Sequence, residues 1–180
     1  MNLLECTPTR LNLGGCGEGK NDSSIPGFAT VDLRDVADIR SSADDLSFMP
    51  DASIEEIYAS NILEHFPHPE TNQVLSEWFR VLKPGGILWV SVPDFDANVK
   101  LYLKEGLCEW VRYLLWGDQK HPLNYHYINF TFATLAKALI DSGFSDVVRV
   151  KEFPHGIRDA STIQDSKYGI MVSLNVKATK

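Results

Sequence analysis

The chain has 180 residues, with 17 Lys and Arg against 24 Asp and Glu and a formal net charge of −7, which is one domain's length. At 44% hydrophobic and 23% charged residues it has the composition of a globular protein with material for a core, so disorder along the whole chain is excluded. A sequence pI of about 5.2 argues against a nucleic-acid partner gripped by its phosphates, and no apolar run reaches the roughly 18–20 residues of a membrane-spanning helix.

Residues 1–6 lack the basic-then-apolar layout of a signal peptide, so a soluble, cytoplasmic protein with no membrane partner is expected. Cys6, Cys16 and Cys108 are widely spaced and form no CxxC pair, which argues against a disulfide framework and a cysteine zinc site. Charge is uneven along the chain. Residues 1–70 carry 13 acids and 4 bases, whereas residues 71–180 carry 11 acids and 13 bases. The acidic part suits a neutral or cationic ligand, although for most of Asp35, Asp38, Asp51, Glu55 and Glu56 a solvated surface is the favoured reading.

No repeat, low-complexity tract or Pro/Gly/Ser-rich linker divides the sequence, so a single domain over 1–180 is expected. Residues 9–13 form a short apolar run that ends on Gly14-Gly15-Cys16-Gly17-Glu18-Gly19, a buried strand feeding a glycine turn. Residues 29–33 are a second strand ending at Asp32, and residues 55–60 a third. Val74, Leu75, Trp78, Phe79, Val81 and Leu82 share one face of a helix over 70–82, which stops before Lys83-Pro84-Gly85-Gly86. Residues 86–92 form the strongest strand, and the strand–helix–strand order makes a parallel crossover unit. Residues 95–130 hold one or two helices and then an aromatic, irregular stretch at 121–127, placed as a substrate lid over the strand ends. A helix over 131–142 follows, capped by Gly143, and then two strands at 146–153 and 170–176 that can pair antiparallel. The expected fold is α/β, a Rossmann-like, mostly parallel mixed sheet with an antiparallel carboxyl-terminal hairpin and helices on both faces.

The glycine turn sits at a strand's carboxyl end, where open α/β sheets bind ligands, and glycine there lets a ligand touch the main chain. Asp32 ends the next strand, placed to accept hydrogen bonds from a ribose, with a solvated acid as the bland reading. In order along the chain come LNLGGCG, TVDL, ADDL, ASNILEHF and VLKPGGIL. This series resembles the class I S-adenosylmethionine-dependent methyltransferases, in particular the type 11-like branch with a Leu-Glu-His motif, over about residues 10–95.

The resemblance implies S-adenosylmethionine as cofactor and S-adenosylhomocysteine as product. It places Gly14, Gly15 and Gly17 against the methionine part, Asp32 on the ribose and Leu33 on the adenine, with Asn12 and Leu13 also among the cofactor-binding residues. Ala43 and Asp44 fall at the adenine edge, Asn61 beside the sulfonium, and Glu64 and His65 at the start of the next helix, near cofactor and acceptor. The family's adenine-binding acid aligns near Ser42, so Asp44, Asp45 or main chain must replace it. The implied reaction is O- or N-methylation of a small molecule or sugar, by a monomer or homodimer.

Proton removal from a hydroxyl acceptor needs a base, for which His126 and His65 are the candidates, with Tyr125 and Tyr127 as positioning groups. Packing of His126 among tyrosines is the competing reading. His121 and His126 are five apart without an acid pair beside them, so no metal site is expected. Two other functions remain open. An NAD(P)-dependent oxidoreductase would need a GxGxxG fingerprint opening a long helix, and here the last glycine comes one position early. A non-catalytic module that only binds S-adenosylmethionine has the same motifs.

Overall fold

In the central strands every second residue is apolar, and this alternation organises the molecule. Leu11 and Leu13, Ile57 and Ala59, Leu88, Val90 and Val92, and Leu174, Val176 and Ala178 all fall in one buried cluster on the same side of the sheet. The computed structural model describes residues 7–15 and 24–180. Its strands are β1 (Arg10–Leu13), β2 (Ala29–Asp32), β3 (Ile39–Arg40), β4 (Ile54–Ser60), β5 (Leu82–Pro93), β6 (Ser145–Val150) and β7 (Ser173–Thr179). They form a seven-stranded sheet in the order β3-β2-β1-β4-β5-β7-β6. The first five are parallel, and β7 runs antiparallel to β5 and β6. The expected mixed, mostly parallel sheet with an antiparallel carboxyl-terminal pair is therefore present.

Helix α1 (Thr71–Val81) buries Val74, Leu75, Trp78 and Val81, the stripe that the sequence marks, and carries the crossover from β4 to β5. Helix α4 (Phe132–Asp141) packs beside it through Leu135 and Leu139, started by a reciprocal capping box between Thr131 and Thr134. Gly143 then takes φ +103, and a Cβ there would lie 2.9 Å from the Phe79 ring of α1, so both conformation and contact call for glycine. Helices α2 (Phe95–Glu105) and α3 (Glu109–Trp116) pack together with Val172 and Ile170. Asp94 caps α2 through the amides of Asp96 and Ala97, and Arg149 holds its other oxygen at 2.6 Å. The opposite side of β4 and β5 carries Tyr58 and Trp89, covered by Phe153, Ile157 and Ile25. Among the described residues no helix is long and apolar enough to cross a membrane.

Three local departures have physical causes. The Lys83-Pro84-Gly85-Gly86 turn is absorbed into β5 as a bulge. Ile54 pairs Leu82 but Glu56 pairs Ile87, Gly85 takes φ +77, and the main chain of Lys180 bonds both Gly85 and Gly86. The segment after β4 does not open a helix at Glu64 and His65. Leu63–His65 is one 3-10 turn and His68–Glu70 another, and α1 begins only at Thr71. Two prolines, Pro67 and Pro69, lack the amide needed to continue a helix through this stretch. Finally, β3 is two residues long, too short for a periodicity to show.

Trp78 is fully buried, and its indole N–H donates to the Ala43 carbonyl at 2.7 Å, tying α1 to the loop that follows β3. Trp78→Phe keeps an aromatic ring but leaves that carbonyl without its donor. We expect a loss of about 1–3 kcal/mol in urea unfolding; an unchanged midpoint would show that the tether carries no stability.

Candidate functional site

The parallel ladders bring three strand ends level. Leu13 pairs both Val31 and Ala59, so Gly14, Asp32 and Ser60–Asn61 leave the sheet side by side. The Gly14 amide still bonds the Val31 carbonyl at 2.9 Å, and the Asn61 amide the Ser91 carbonyl at 2.9 Å, which extends main-chain order one residue past the strands. Over these ends lies a cavity of about 690 Å³, within the roughly 300–1,000 Å³ of small-molecule sites.

Its walls come from five places. Gly14 closes the β1 side. Asp32, Leu33 and Arg34 follow β2, and Ser41, Ser42 and Ala43 follow β3. Asn61, Ile62, His65, Phe66 and Pro67 follow β4, while His121, Pro122, Leu123, Asn124 and Tyr127 close the far side. The aromatic stretch placed over the strand ends by sequence thus forms a cavity wall. Trp110, Tyr113 and Trp116 do not line it. Trp110 stacks on Tyr113 at 5.5 Å.

The site residues expected from sequence fall partly on the cavity wall and partly around it. Gly14, Asp32, Leu33, Ala43, Asn61 and His65 line the cavity. Asn12 and Leu13 are buried inside β1, and Gly15 sits against Asn12, whose amide nitrogen would lie 2.0 Å from a Cβ at Gly15. Asp44 accepts a hydrogen bond from Ser42 and is off the wall, as is Asp45. Ser42 and Ala43 themselves hold the position that the resemblance assigns to an adenine-binding acid. Glu64 and His126 lie behind the wall, His126 with its ring 5.0 Å from that of His65. Gly17 lies outside the described residues.

Gly14 has φ +69, and a Cβ there would lie 2.9 Å from Ile62, so the wall requires glycine at this point. Asp32 is nearly buried and is held by Arg34. The Arg34 Nε and main-chain N–H reach Oδ1 at 3.0 Å, and Nη2 reaches Oδ2 at 2.6 Å. This clamp was not foreseen, although an Asp followed two residues later by Arg is its visible signal. Asn61 takes φ +51, and its buried Oδ1 has no hydrogen-bond partner. An acid at the second strand end, a glycine main chain at the first and an unpartnered amide oxygen at the third match a nucleoside with a polar tail. The residues present therefore fit the implied cofactor.

Beyond Asn61 the chemistry changes. Glu64 is fully buried, and neither carboxylate oxygen has a hydrogen-bond partner. Burial pushes its carboxyl up to about 8, against smaller downward pulls from its own backbone and from Asn61. Burial lowers His65 below its ordinary 6.5. Burial first, and then the neighbouring His65, bring His126 down to about 4. Both rings are thus neutral at pH 7.

Residues 14–90 match the family model for the methyltransferase domain. No curated protein sequence matches the chain. Among solved structures, a possible histamine N-methyltransferase from Thermotoga maritima is similar at TM-score 0.60 and 18% identity, over 98% of this chain and 84% of that one. An S-adenosylmethionine-dependent methyltransferase from Methanosarcina mazei is similar at 0.59 and 20%, over 95% and 91%. The 1,6-didemethyltoxoflavin-N1-methyltransferase of Burkholderia thailandensis, solved with that compound and S-adenosylhomocysteine, is similar at 0.57 and 16%, over 96% and 71%.

The buried Glu64 makes stability depend on pH. Below its ordinary value of 4.5 it is protonated whether the chain is folded or not, and its contribution is complete. As pH rises toward about 8 the unfolded chain ionises first, so stability falls, and the loss is complete once the folded form ionises. From pH 6.5 to 8 the histidines' own titration in the unfolded chain is common to wild type and variant and cancels in their difference. In chelator-containing buffer the wild type should lose up to about 1.4 kcal/mol per pH unit in that window relative to Glu64→Gln. Parallel pH profiles for the two proteins in urea unfolding would refute this.

Proposed function

We propose that the chain is a class I S-adenosylmethionine-dependent methyltransferase, as the match of residues 14–90 and the fold support, and that it methylates an oxygen or nitrogen of a small acceptor, a sugar or compact ring compound. The observation that carries the reading is the single cavity wall joining Gly14, Asp32 and Asn61 to His65 and Tyr127. It gives one end suited to the cofactor and another suited to an acceptor. When bound, S-adenosylmethionine supplies a methyl group already activated by the positive charge on sulfur.

The chain's own residues then have three tasks. Asp32 accepts the ribose hydroxyls, for which the Arg34 clamp must yield at least one carboxylate oxygen. Gly14 offers main chain, Leu33, Ser42 and Ala43 flank the base, and the Asn61 side-chain oxygen faces the tail. Residues 121–127 cover the cavity and exclude water, which keeps the acceptor in line. A hydroxyl acceptor loses its proton at the histidine end, where His65 reaches the wall and His126 stands behind it. The cavity's size favours a small acceptor, because cofactor and acceptor share about 690 Å³. Tyr127, His121 and Leu123 suit the face of a sugar or aromatic ring. The match over residues 14–90 favours this reading over a dinucleotide-dependent oxidoreductase.

Calorimetry with S-adenosylmethionine, S-adenosylhomocysteine and NAD tests the cofactor assignment, with heat expected from the first two only. Asp32→Ala should weaken binding at least about tenfold, since a hydrogen bond to a charged group contributes about 1.5–3 kcal/mol. Arg34→Ala should bind as well as the wild type or better. No heat with either sulfur compound would defeat the reading. On a panel of sugar and aromatic acceptors, His65→Ala should bind cofactor normally and lose turnover, and unchanged turnover would remove the histidine end from the mechanism.

A further inference from the structure

Glu64 and His65, on the 3-10 turn after β4, meet His126 from the segment between α3 and α4. One ligand-type atom from each lies within 4.8 Å of the others. The spacing of His121 and His126, the pair weighed in the sequence, gives no hint of this trio, because its members meet only in the fold.

Two further observations point to an occupant. The Glu64 carboxylate is fully buried, and both its oxygens lack a hydrogen-bond partner. On the histidines, His65 Nδ1 bonds the Tyr125 carbonyl at 3.0 Å, and His126 Nδ1 bonds the Leu114 carbonyl at 3.1 Å. A carbonyl only accepts, so each Nδ1 carries the proton and each Nε2 keeps a lone pair. Imidazoles that bind metals are oriented in this way, with one N–H on a carbonyl and the other nitrogen toward the ion.

We propose that Glu64, His65 and His126 bind one first-row divalent ion of borderline softness, of the Zn²⁺, Co²⁺ or Fe²⁺ kind. Two nitrogens and one carboxylate suit such ions, whereas Mg²⁺ and Ca²⁺ favour oxygen ligands throughout. Bonds of about 2.0–2.2 Å set ligand atoms roughly 3–4 Å apart, so the trio closes on an ion by movements of about 1 Å. The ion gives the buried carboxylate a counter-charge and both lone pairs a partner. Without it the buried Glu64 carboxyl keeps both oxygens without a hydrogen-bond partner, which costs folding free energy.

Three protein ligands leave a coordination position open, and His65 is the member on the cavity wall. The ion site rests on this geometry alone. One consequence rests on the methyl-transfer reading: an acceptor hydroxyl that completes the coordination would lose its proton more readily.

The test uses the untagged full chain, stripped with chelator and titrated with Zn²⁺, and with Co²⁺ as a spectroscopic probe. One ion per chain, a raised melting temperature and visible Co²⁺ absorption that Zn²⁺ displaces are expected. Glu64→Gln and His126→Ala should each weaken binding by at least about tenfold, while His68→Ala, an exposed position on the next turn, should leave it unchanged. Circular dichroism checks that each variant folds. If a variant does not fold, the wild-type stoichiometry and Co²⁺ spectrum decide. No stoichiometric binding by the wild type overturns the proposal, and so does equal binding by wild type and both folded variants. Cofactor calorimetry on the metal-free chain keeps the two readings separate. Cofactor binding without ion binding removes only the ion site, and ion binding without cofactor binding removes only the methyl-transfer reading.

Discussion

The register of the β2–β1–β4 ladder is the constraint on which the remaining structure depends. Leu13 lies opposite Val31 on one side and Ala59 on the other, so three strands reach their carboxyl ends at one level. A shift of one residue in either pairing would turn Leu11, Leu13, Ile57 and Ala59 away from the core they fill. Burial of those side chains therefore enforces the register. The register in turn sets Gly14, Asp32 and Asn61 around a common opening, so the energy that folds the sheet also builds the site.

Polarity is distributed along that opening in a way that local packing accounts for. At the β2 end the acid is matched, because Asp32 carries a guanidinium and an amide. At the β4 end it is not matched, since Glu64 is enclosed by protein with no cationic partner and no well-formed hydrogen bond to either oxygen. The difference follows from the backbone. After β2 the chain turns outward, and Arg34 can fold back over the carboxylate with its head partly in water. After β4 it tightens into a 3-10 turn whose Glu64 carbonyl accepts from the Tyr127 amide at 2.8 Å. That main-chain bond pins the turn beneath the 117–130 segment and keeps Glu64 away from solvent.

Much of this was legible in the sequence. Periodicity located β1, β2, β4, α1 and α4 to within a residue or two, because each buries one regular face against the sheet. The carboxyl-terminal strands lie a little away from their expected bounds, since β6 is exposed along most of its length and its burial pattern is weak. Gly14 and Asp32 sit at strand ends, positions that local sequence reports well. Arg34 over Asp32, Ser42 on the wall and the Glu64–His65–His126 trio depend on side-chain direction and on segments far apart in sequence, and neither leaves a periodic trace. His126 shows the limit well. Its aromatic surroundings single it out in the sequence, but only the fold puts it one layer behind His65.

The two edges of the sheet differ in sequence but have the same physical effect. At one side β3 offers a second chain only Ile39 and Arg40. At the other, β6 slips register against β7 between Ser145 and Val148, and Asp146 sits there at φ +47. That kink, with charged Asp146 and Arg149 along the strand, interrupts the flat row of amides and carbonyls that another strand would need. Growth of the sheet from molecule to molecule is thereby disfavoured at both ends, which guards a β-rich chain against edge-to-edge aggregation at high concentration.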